Sequence, residues 1–538
     1  MMKVLIVEDN PAMRRLLQWQ SPFDFRKGQS FYGLVQAIFE GRLEFGLAGR
    51  AGNTALMAAC PSSFTVNDPG DTSDAGAGDQ VCADSNGNCT LRAAIQEANA
   101  ITACSPLTIN FSVTGTINLA TVLPSLNHPN LTISGPGASS LTVQRSTAAG
   151  TGLFRVFKIN SGMTVAVSGM TITNGMEGSI VGNGAGINNA GTLSLSDCVI
   201  SGNNTGGGSS GGGIYTQGPL TVTRCAINGN DAGLGAGIRV SSTTLVMSDS
   251  TISGNGAIYP GGGLYMDAAT VMVTNCAFSG NKANGNFGSV TNTGVGGETS
   301  LLTLVNCTIT GATGNSGVGI STRDSSNNAT SIVTRLKNTL VAGNGGNNFA
   351  TSGTNATLTS QGANLDSDGS SGFTGGVNGD LVGAAANKID ALLSSLGSYG
   401  GATQTHALLP GSPAINAGAS SGAPANDQRG SSRVGAVDIG SFESQGFSLT
   451  IAGGNNQNTA FNTAFTNPLS VAVTANAAAE PVNGGQVTFT PPTQPGSFPI
   501  IVTATDSNGC TGTGATYRLS VYTTSMLAPA PTREILYY

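Results

Sequence analysis

Cys198-Val199-Ile200-Ser201-Gly202-Asn203 is one copy of a phrase that returns as Cys225-Ala226-Ile227-Asn228-Gly229-Asn230 and as Ser250-Thr251-Ile252-Ser253-Gly254-Asn255. Met170-Thr171-Ile172-Thr173-Asn174-Gly175 precedes them. Cys276-Ala277-Phe278-Ser279-Gly280-Asn281, Cys307-Thr308-Ile309-Thr310-Gly311-Ala312 and Thr339-Leu340-Val341-Ala342-Gly343-Asn344 follow. Successive copies start 28, 27, 25, 26, 31 and 32 residues apart. A glycine phrase comes before many copies, as in Gly211-Gly212-Gly213-Ile214-Tyr215 and Gly261-Gly262-Gly263-Leu264-Tyr265. Alternating strands such as Leu193-Ser194-Leu195, Leu220-Thr221-Val222 and Val271-Met272-Val273 complete the repeat. A fixed period of this size signals a solenoid or a propeller, and a propeller blade needs four strands and about 40–45 residues. Three short strands per 25–32 residues fit one coil of a parallel β-helix.

In such a coil each apolar residue stacks about 4.8 Å from its copy in the next. Ile172, Ile200, Ile227, Ile252, Phe278, Ile309 and Val341 then form one interior ladder. The Gly-Asn pairs supply the positive φ of a sharp corner. Asn203, Asn230, Asn255 and Asn281 can bond to one another along the axis, as in other cross-β stacks. Cys198, Cys225, Cys276 and Cys307 share one slot with Ser250 and read as small buried residues rather than a metal or redox ladder. Eight or nine coils give a rod of roughly 40 Å.

The composition of the 538 residues agrees with this reading. Charged residues are 9%, glycines number 79, and the net charge is −6. Nucleic-acid binders carry basic surfaces, so that class is excluded. Mean hydropathy is +0.07, unlike a disordered chain. Uninterrupted apolar runs fall short of the roughly 18 residues of a membrane helix. Two histidines, His128 and His406, argue against chemistry built on several imidazoles. Identical charges stacked on every coil would repel, so Ser, Thr and Asn suit the outer walls.

The ends differ from the middle. Lys3-Val4-Leu5-Ile6-Val7-Glu8-Asp9 resembles the opening of a response-regulator receiver domain, in which Glu8 and Asp9 would match the magnesium-binding acidic pair. The resemblance stops near residue 20, and Asp is absent between Asp24 and Asp68, where that family needs its phosphoacceptor. Residues 1–20 therefore read as a fragment and 21–63 stay unassigned. Nothing before residue 60 reads as a signal peptide.

Asp71, Asp74, Asp79 and Asp84 lie in a Gly-rich loop beside Cys82 and Cys89. A Cys82–Cys89 disulfide is one expectation there, and calcium binding by the aspartates is an alternative use of the loop. Cys89-Thr90-Leu91-Arg92-Ala93-Ala94-Ile95-Gln96-Glu97-Ala98-Asn99 follows, with Leu91, Ile95 and Ala98 on one helical face. Arg92 and Glu97 read as a salt bridge or a contact to the first coil rather than a catalytic pair. The stretch resembles the bacterial domain named for Cys-Ser-Leu-Arg-Glu-Ala. That resemblance implies an exported protein with a right-handed β-helix body, and the amphipathic helix would cover its open end over 64–105.

The coils span 106–360. Their paired phrases also resemble the repeats of polymorphic outer-membrane proteins, which implies surface display and adhesion. Gly400-Gly401-Ala402-Thr403-Gln404-Thr405-His406, Asp427-Gln428-Arg429-Gly430 and Val437-Asp438-Ile439-Gly440 resemble the Q-type choice-of-anchor domain, read here as a C-terminal cap over 361–445. Asp427, Arg429, Arg433 and Asp438 are expected to form buried ion pairs in it. His406, Asp438 and Ser412 lack a nucleophile-elbow motif, which argues against a triad. Residues 446–525 alternate as strands between turns and resemble bacterial Ig-like repeats, with Cys510 unpaired in sequence and a tail over 526–538. The expected fold class is all-β: a right-handed parallel β-helix with an N-terminal helical cap and a C-terminal Ig-like β-sandwich segment.

Two functional readings follow. The first is a non-enzymatic secreted or cell-surface monomer, structural or adhesive, located outside the cell or on the bacterial outer membrane. Its partners would be carbohydrate or a host or neighbouring cell surface, and it needs no cofactor unless calcium. The second is a polysaccharide-active lyase or glycosidase. Its candidates are Asp197, Arg224 and Asp249, which share the slot before the repeat phrase, although an exposed row of turn residues is the preferred reading of them.

Overall fold

The computed structural model describes residues 60–538 except 179–181, 285–286, 295–296, 316, 326–329, 455–457, 461–465, 468–469, 490–496, 504–515 and 523–538. Glu8, Asp9 and Cys510 lie outside the described residues. Three parallel sheets stack along one axis, with eleven, eleven and eight strands. Eleven strands make a rod of about 48 Å, somewhat longer than the period alone implied, because the first sheet begins before the first readable repeat. Its first strand, Ser63–Val66, pairs with Leu107–Phe111 across the whole cap region.

Register follows the repeat. Ile172 faces Ile200, then Ile227, Ile252, Phe278, Ile309 and Val341 in succession, and all are fully buried. Gly202, Gly229, Gly254 and Gly280 carry φ of 60°, 58°, 60° and 61°. Glycine adopts this conformation without a Cβ penalty, and the turn it makes directs the following Asn inward. Asn203 Nδ2 donates to Asn230 Oδ1 at 3.0 Å, Asn230 Nδ2 to Asn255 Oδ1 at 2.9 Å, and Asn255 Nδ2 to Asn281 Oδ1 at 2.9 Å.

The cysteine slot has a backbone role. Cys198 N donates to Cys225 Sγ at 3.5 Å, and Cys225 N donates to Ser250 Oγ at 3.0 Å. Cys225 and Ser250 thus accept alike from the amide of the coil before them, which is why Ser can replace Cys. All four thiols are buried and free. Burial pushes the Cys307 thiol up to about 12 and raises Cys276 as well. Buried neutral thiols of this kind are inert.

Helix α1 (Leu91–Ala100) closes the N-terminal end. Thr90 caps it by accepting from Ala93 N, and Leu91, Ile95 and Ala98 join the main core. Cys82–Cys89 and Cys60–Cys104 are disulfide-bonded, the second pairing being one the spacing did not single out. At the other end Phe373 packs against the core, 6.3 Å from Phe349. The solenoid does not stop at residue 360: strands Leu365–Asp366 and Leu381–Val382 still belong to the second sheet.

Residues 391–445 form a strap along the flank of the second sheet rather than a lid on its end. Asn275 donates to Asn426 O, Ser441 N to Thr308, and Asn338 to Ala419 O. The outward residues Thr251, Ala277, Thr308 and Leu340 are consequently buried, whereas Thr171, Val199 and Ala226 on the preceding coils are half-buried. A second small core of Leu340, Ala407, Leu408, Ile415, Ile439 and Phe442 lies beneath the strap. Beyond it, Phe447–Gly453 and Ser470–Ala475 pair antiparallel, and a four-stranded mixed sheet follows.

Candidate functional site

The corner row considered for catalysis is a conformational feature. Asp197, Arg224 and Asp249 have φ of 54°, 50° and 51°, and Asn275, Asn306 and Asn338 continue the row. After glycine, Asn and Asp tolerate this left-handed state best, which accounts for every residue of the row except Arg224. Arg224 makes a two-pronged ion pair with Asp197 at 2.8 and 2.7 Å, with both side chains about half exposed. Asp249 Oδ1 accepts from Asn275. The two carboxylates sit two coils apart, about 10 Å along the axis, with a cation between them.

The N-terminal aspartates serve the loop itself. Asp71 grips Arg92 at 2.9 Å on both oxygens and accepts from Ala120 N. Asp84 accepts from Thr72, Asn86 and Asn88, which hold its carboxyl below the ordinary value. Asp74 accepts from Gly76 N, and Asp79 from Val81 N. Arg92 and Glu97 do not pair: Arg92 also donates to the carbonyls of Thr121 and Val122, and Glu97 accepts from Gly78 N and Gln80 N. Among the described residues no three His, Cys, Asp or Glu side chains converge as a metal site.

In the strap, Arg429 pairs with Asp427 at 2.8 Å and Arg433 with Glu443 at 2.7 Å. The expected ion pairs thus have Glu443 as the partner that sequence reading missed. Asp438 instead accepts from Asn416 N and Ser444 N. Burial and the neighbouring Glu443 carboxylate push Asp438 well above the ordinary carboxylate range. Ser412 donates to Ala391 O, so Ser412, His406 and Asp438 form no triad.

The third sheet carries the chemistry that sequence reading passed over. Ile214, Ile238 and Leu264 point inward, fully buried, so the residues after them point out. Tyr215 lies beside Arg239, and Arg239 beside Tyr265, on three successive coils. The Arg239 guanidinium sits 4.5 Å from the Tyr265 ring centroid and pairs with Asp267 at 2.9 Å. Ser241 Oγ donates to Asp267 at 3.3 Å. Arg323 lies 4.9 Å over the Phe287 ring. Burial raises the Tyr215 and Tyr265 phenols, and raises Asp267 against the pull of Arg239. Glu298 is close enough to act electrostatically on Asp267 and Tyr265. The signal was present: Tyr follows Gly-Gly-Gly-Ile/Leu at 215 and 265, with Arg239 in the same slot between them.

Residues 130–300 match the family model described as the right handed beta helix region. This span covers every residue of the Tyr215–Asp267 face. The fold is a right-handed parallel β-helix. No curated protein matches the chain. Among solved structures, the crystal structure of pectate lyase Pel9A aligns with 71% of this chain and 96% of that chain, at 15% identity and a TM-score of 0.39.

Proposed function

We propose that this β-helix is an exported binding scaffold, secreted or held at the cell surface, whose third-sheet face takes carbohydrate without cleaving it. The Tyr215–Arg239–Tyr265 row carries the reading. Two tyrosines two coils apart, about 10 Å, present amphipathic rings with one apolar body and one polar tip. Between them the Arg239 guanidinium stacks on the Tyr265 ring and is held by Asp267 and Ser210, which fixes that ring in place. Two disulfides in the N-terminal cap favour an oxidising compartment. Among the described residues no helix is long and apolar enough to cross a membrane.

A second reading, cleavage of the bound polysaccharide, is favoured by one observation. Asp267, two residues after Tyr265 on the same face, has a carboxyl that burial raises, and a raised carboxyl is what the general acid of a glycosidase needs. Affinity gels containing pectin, alginate or glycosaminoglycan, run beside a reducing-end assay, separate the two. Retarded migration without new reducing ends supports the scaffold. Chain cleavage that disappears in Asp267→Asn overturns it in favour of the enzyme.

A further inference from the structure

A cleft of about 350 Å³ opens between the strap and the second sheet, lined among others by Thr310, Asp368, Lys388, Asp390, Ser394 and His406. His406, in its wall, joins the strap to the solenoid. Its Nδ1 lies 2.8 Å from Ser394 O, and its Nε2 lies 2.9 Å from Ser279 Oγ. A carbonyl oxygen only accepts, so Nδ1 carries the hydrogen. In the neutral ring Nε2 is then an acceptor, and Ser279 Oγ–H donates to it. Burial lowers the affinity of His406 for a second proton, which keeps the ring neutral near pH 7. Ser279 is half-buried and outward on the second sheet, with Thr310 as its register neighbour in the next coil.

We propose that Ser279, His406 and the Ser394 carbonyl form a nucleophile–base–orienter unit that hydrolyses small carboxylic esters at the edge of this cleft, whose wall His406 and Ser394 line and on which Ser279 borders through His406. Such units are recognised by geometry and roles rather than by sequence order, and a hydroxyl bonded to an oriented base is their diagnostic. Ser279 Oγ attacks the ester carbonyl while its proton passes to His406 Nε2. Thr310, the register neighbour of Ser279 in the next coil and part of the cleft wall, offers its hydroxyl to the developing oxyanion. The C–O bond to the alcohol breaks, and the departing oxygen takes the proton from Nε2. Water then attacks the acyl-Ser279 ester, again giving a proton to Nε2. The carboxylic acid leaves and Ser279 recovers its hydrogen. The site lies on the second sheet, away from the tyrosine face, and acts on an ester rather than a glycosidic bond. It goes beyond the binding reading and does not depend on it.

The test uses the full chain, a fluorophosphonate probe and p-nitrophenyl acetate. We expect covalent labelling that peptide mass spectrometry maps to Ser279, and ester turnover that Ser279→Ala abolishes. His406→Gln should lower the labelling rate by about 100-fold or more, the usual contribution of a general base. Ser412→Ala, which loosens the strap at its bond to Ala391 O without touching the unit, should keep the rate within a few-fold. If His406→Gln loses the strap, Ser279→Cys serves instead: its thiol should react with iodoacetamide much faster than a free cysteine. Absence of label at Ser279, or labelling indifferent to His406, overturns the proposal. So does ordinary reactivity of the Ser279→Cys thiol.

Discussion

Asn230→Ala removes one rung of the interior amide ladder, and its cost can be worked from the bonds it breaks. Asn230 is fully buried. Its Oδ1 accepts from Asn203 N and Asn203 Nδ2, each at 3.0 Å. Its Nδ2 donates to Ile200 O at 3.0 Å and to Asn255 Oδ1 at 2.9 Å. In the variant, Asn203 Nδ2 keeps Ile172 O and Ser201 O as acceptors, and Asn255 Oδ1 keeps Asn230 N as a donor. The Asn203 amide loses the acceptor it uses. One buried donor left unmade costs about 1–3 kcal/mol, and each of the other lost bonds about 0.5–1.5. The expected total is about 2.5–7.5 kcal/mol. Asn230→Asp keeps the volume but cannot donate to Ile200 O or Asn255 Oδ1, and should cost at least as much. Asn228→Ala, two residues earlier on the outward side, should stay within about 0.5 kcal/mol. Coils contact only their neighbours, so unfolding need not be two-state. The assay is therefore urea denaturation combined with hydrogen exchange of the coils on either side. Protection should fall first around Asn203 and Asn255. A loss below about 1 kcal/mol for Asn230→Ala, with unchanged exchange there, would refute the ladder as a source of stability.

Three further outcomes follow from the same geometry. Arg433→Met should destabilise strap docking by about 3–5 kcal/mol, because it leaves the buried Glu443 unpaired and breaks the bond to Asn275 at 3.0 Å; limited proteolysis should cut within 391–445 while the coils persist. Burial and Glu443 raise Asp438 above its unfolded value, so its contribution is full below about pH 4 and is lost as pH rises through the raised value. Asp438→Asn should therefore flatten the pH dependence of strap stability above pH 4, read as melting temperature against pH. Cys198, Cys225, Cys276 and Cys307 should resist a thiol reagent in the native protein and react once it is unfolded, since all four are buried and burial raises Cys276 and Cys307.

What was legible in the sequence is what depends on neighbours. Ile200 stacks on Ile227 because both occur at the same place in consecutive repeats, and a period of 25–32 residues encodes that contact directly. The αL corner at Asp197, Arg224 and Asp249 was legible as a row but not as a role, because an ion pair such as Asp197–Arg224 looks the same as a reactive pair in one dimension. The strap was not legible. Its bonds to the coils join residues far apart, 177 positions for Gln428 and Thr251 and 127 for His406 and Ser279, and no repeat carries such a pairing. The tyrosine face was hidden for a different reason. Its residues fall in the repeat phrase, where Gly-Gly-Gly-Ile draws attention to the turn while the outward residue after it varies from Asn188 to Tyr215, Arg239 and Tyr265. Charge also has a place in this arrangement: where charged side chains face outward on the coils, Arg224 meets Asp197 and Arg239 meets Asp267 across neighbouring coils, so a stack of like charges is avoided.

The central claim is that carbohydrate binds across Tyr215, Arg239 and Tyr265. Calorimetric titration of an acidic oligosaccharide into the wild-type chain and into Tyr215→Ala/Tyr265→Ala tests it most directly. Both side chains are outward on the third sheet, so the double variant should keep the coils intact by circular dichroism. The account predicts measurable binding to the wild type and at least a tenfold weaker association for the double variant, with a further loss in Arg239→Ala. Equal affinity in all three proteins would contradict it.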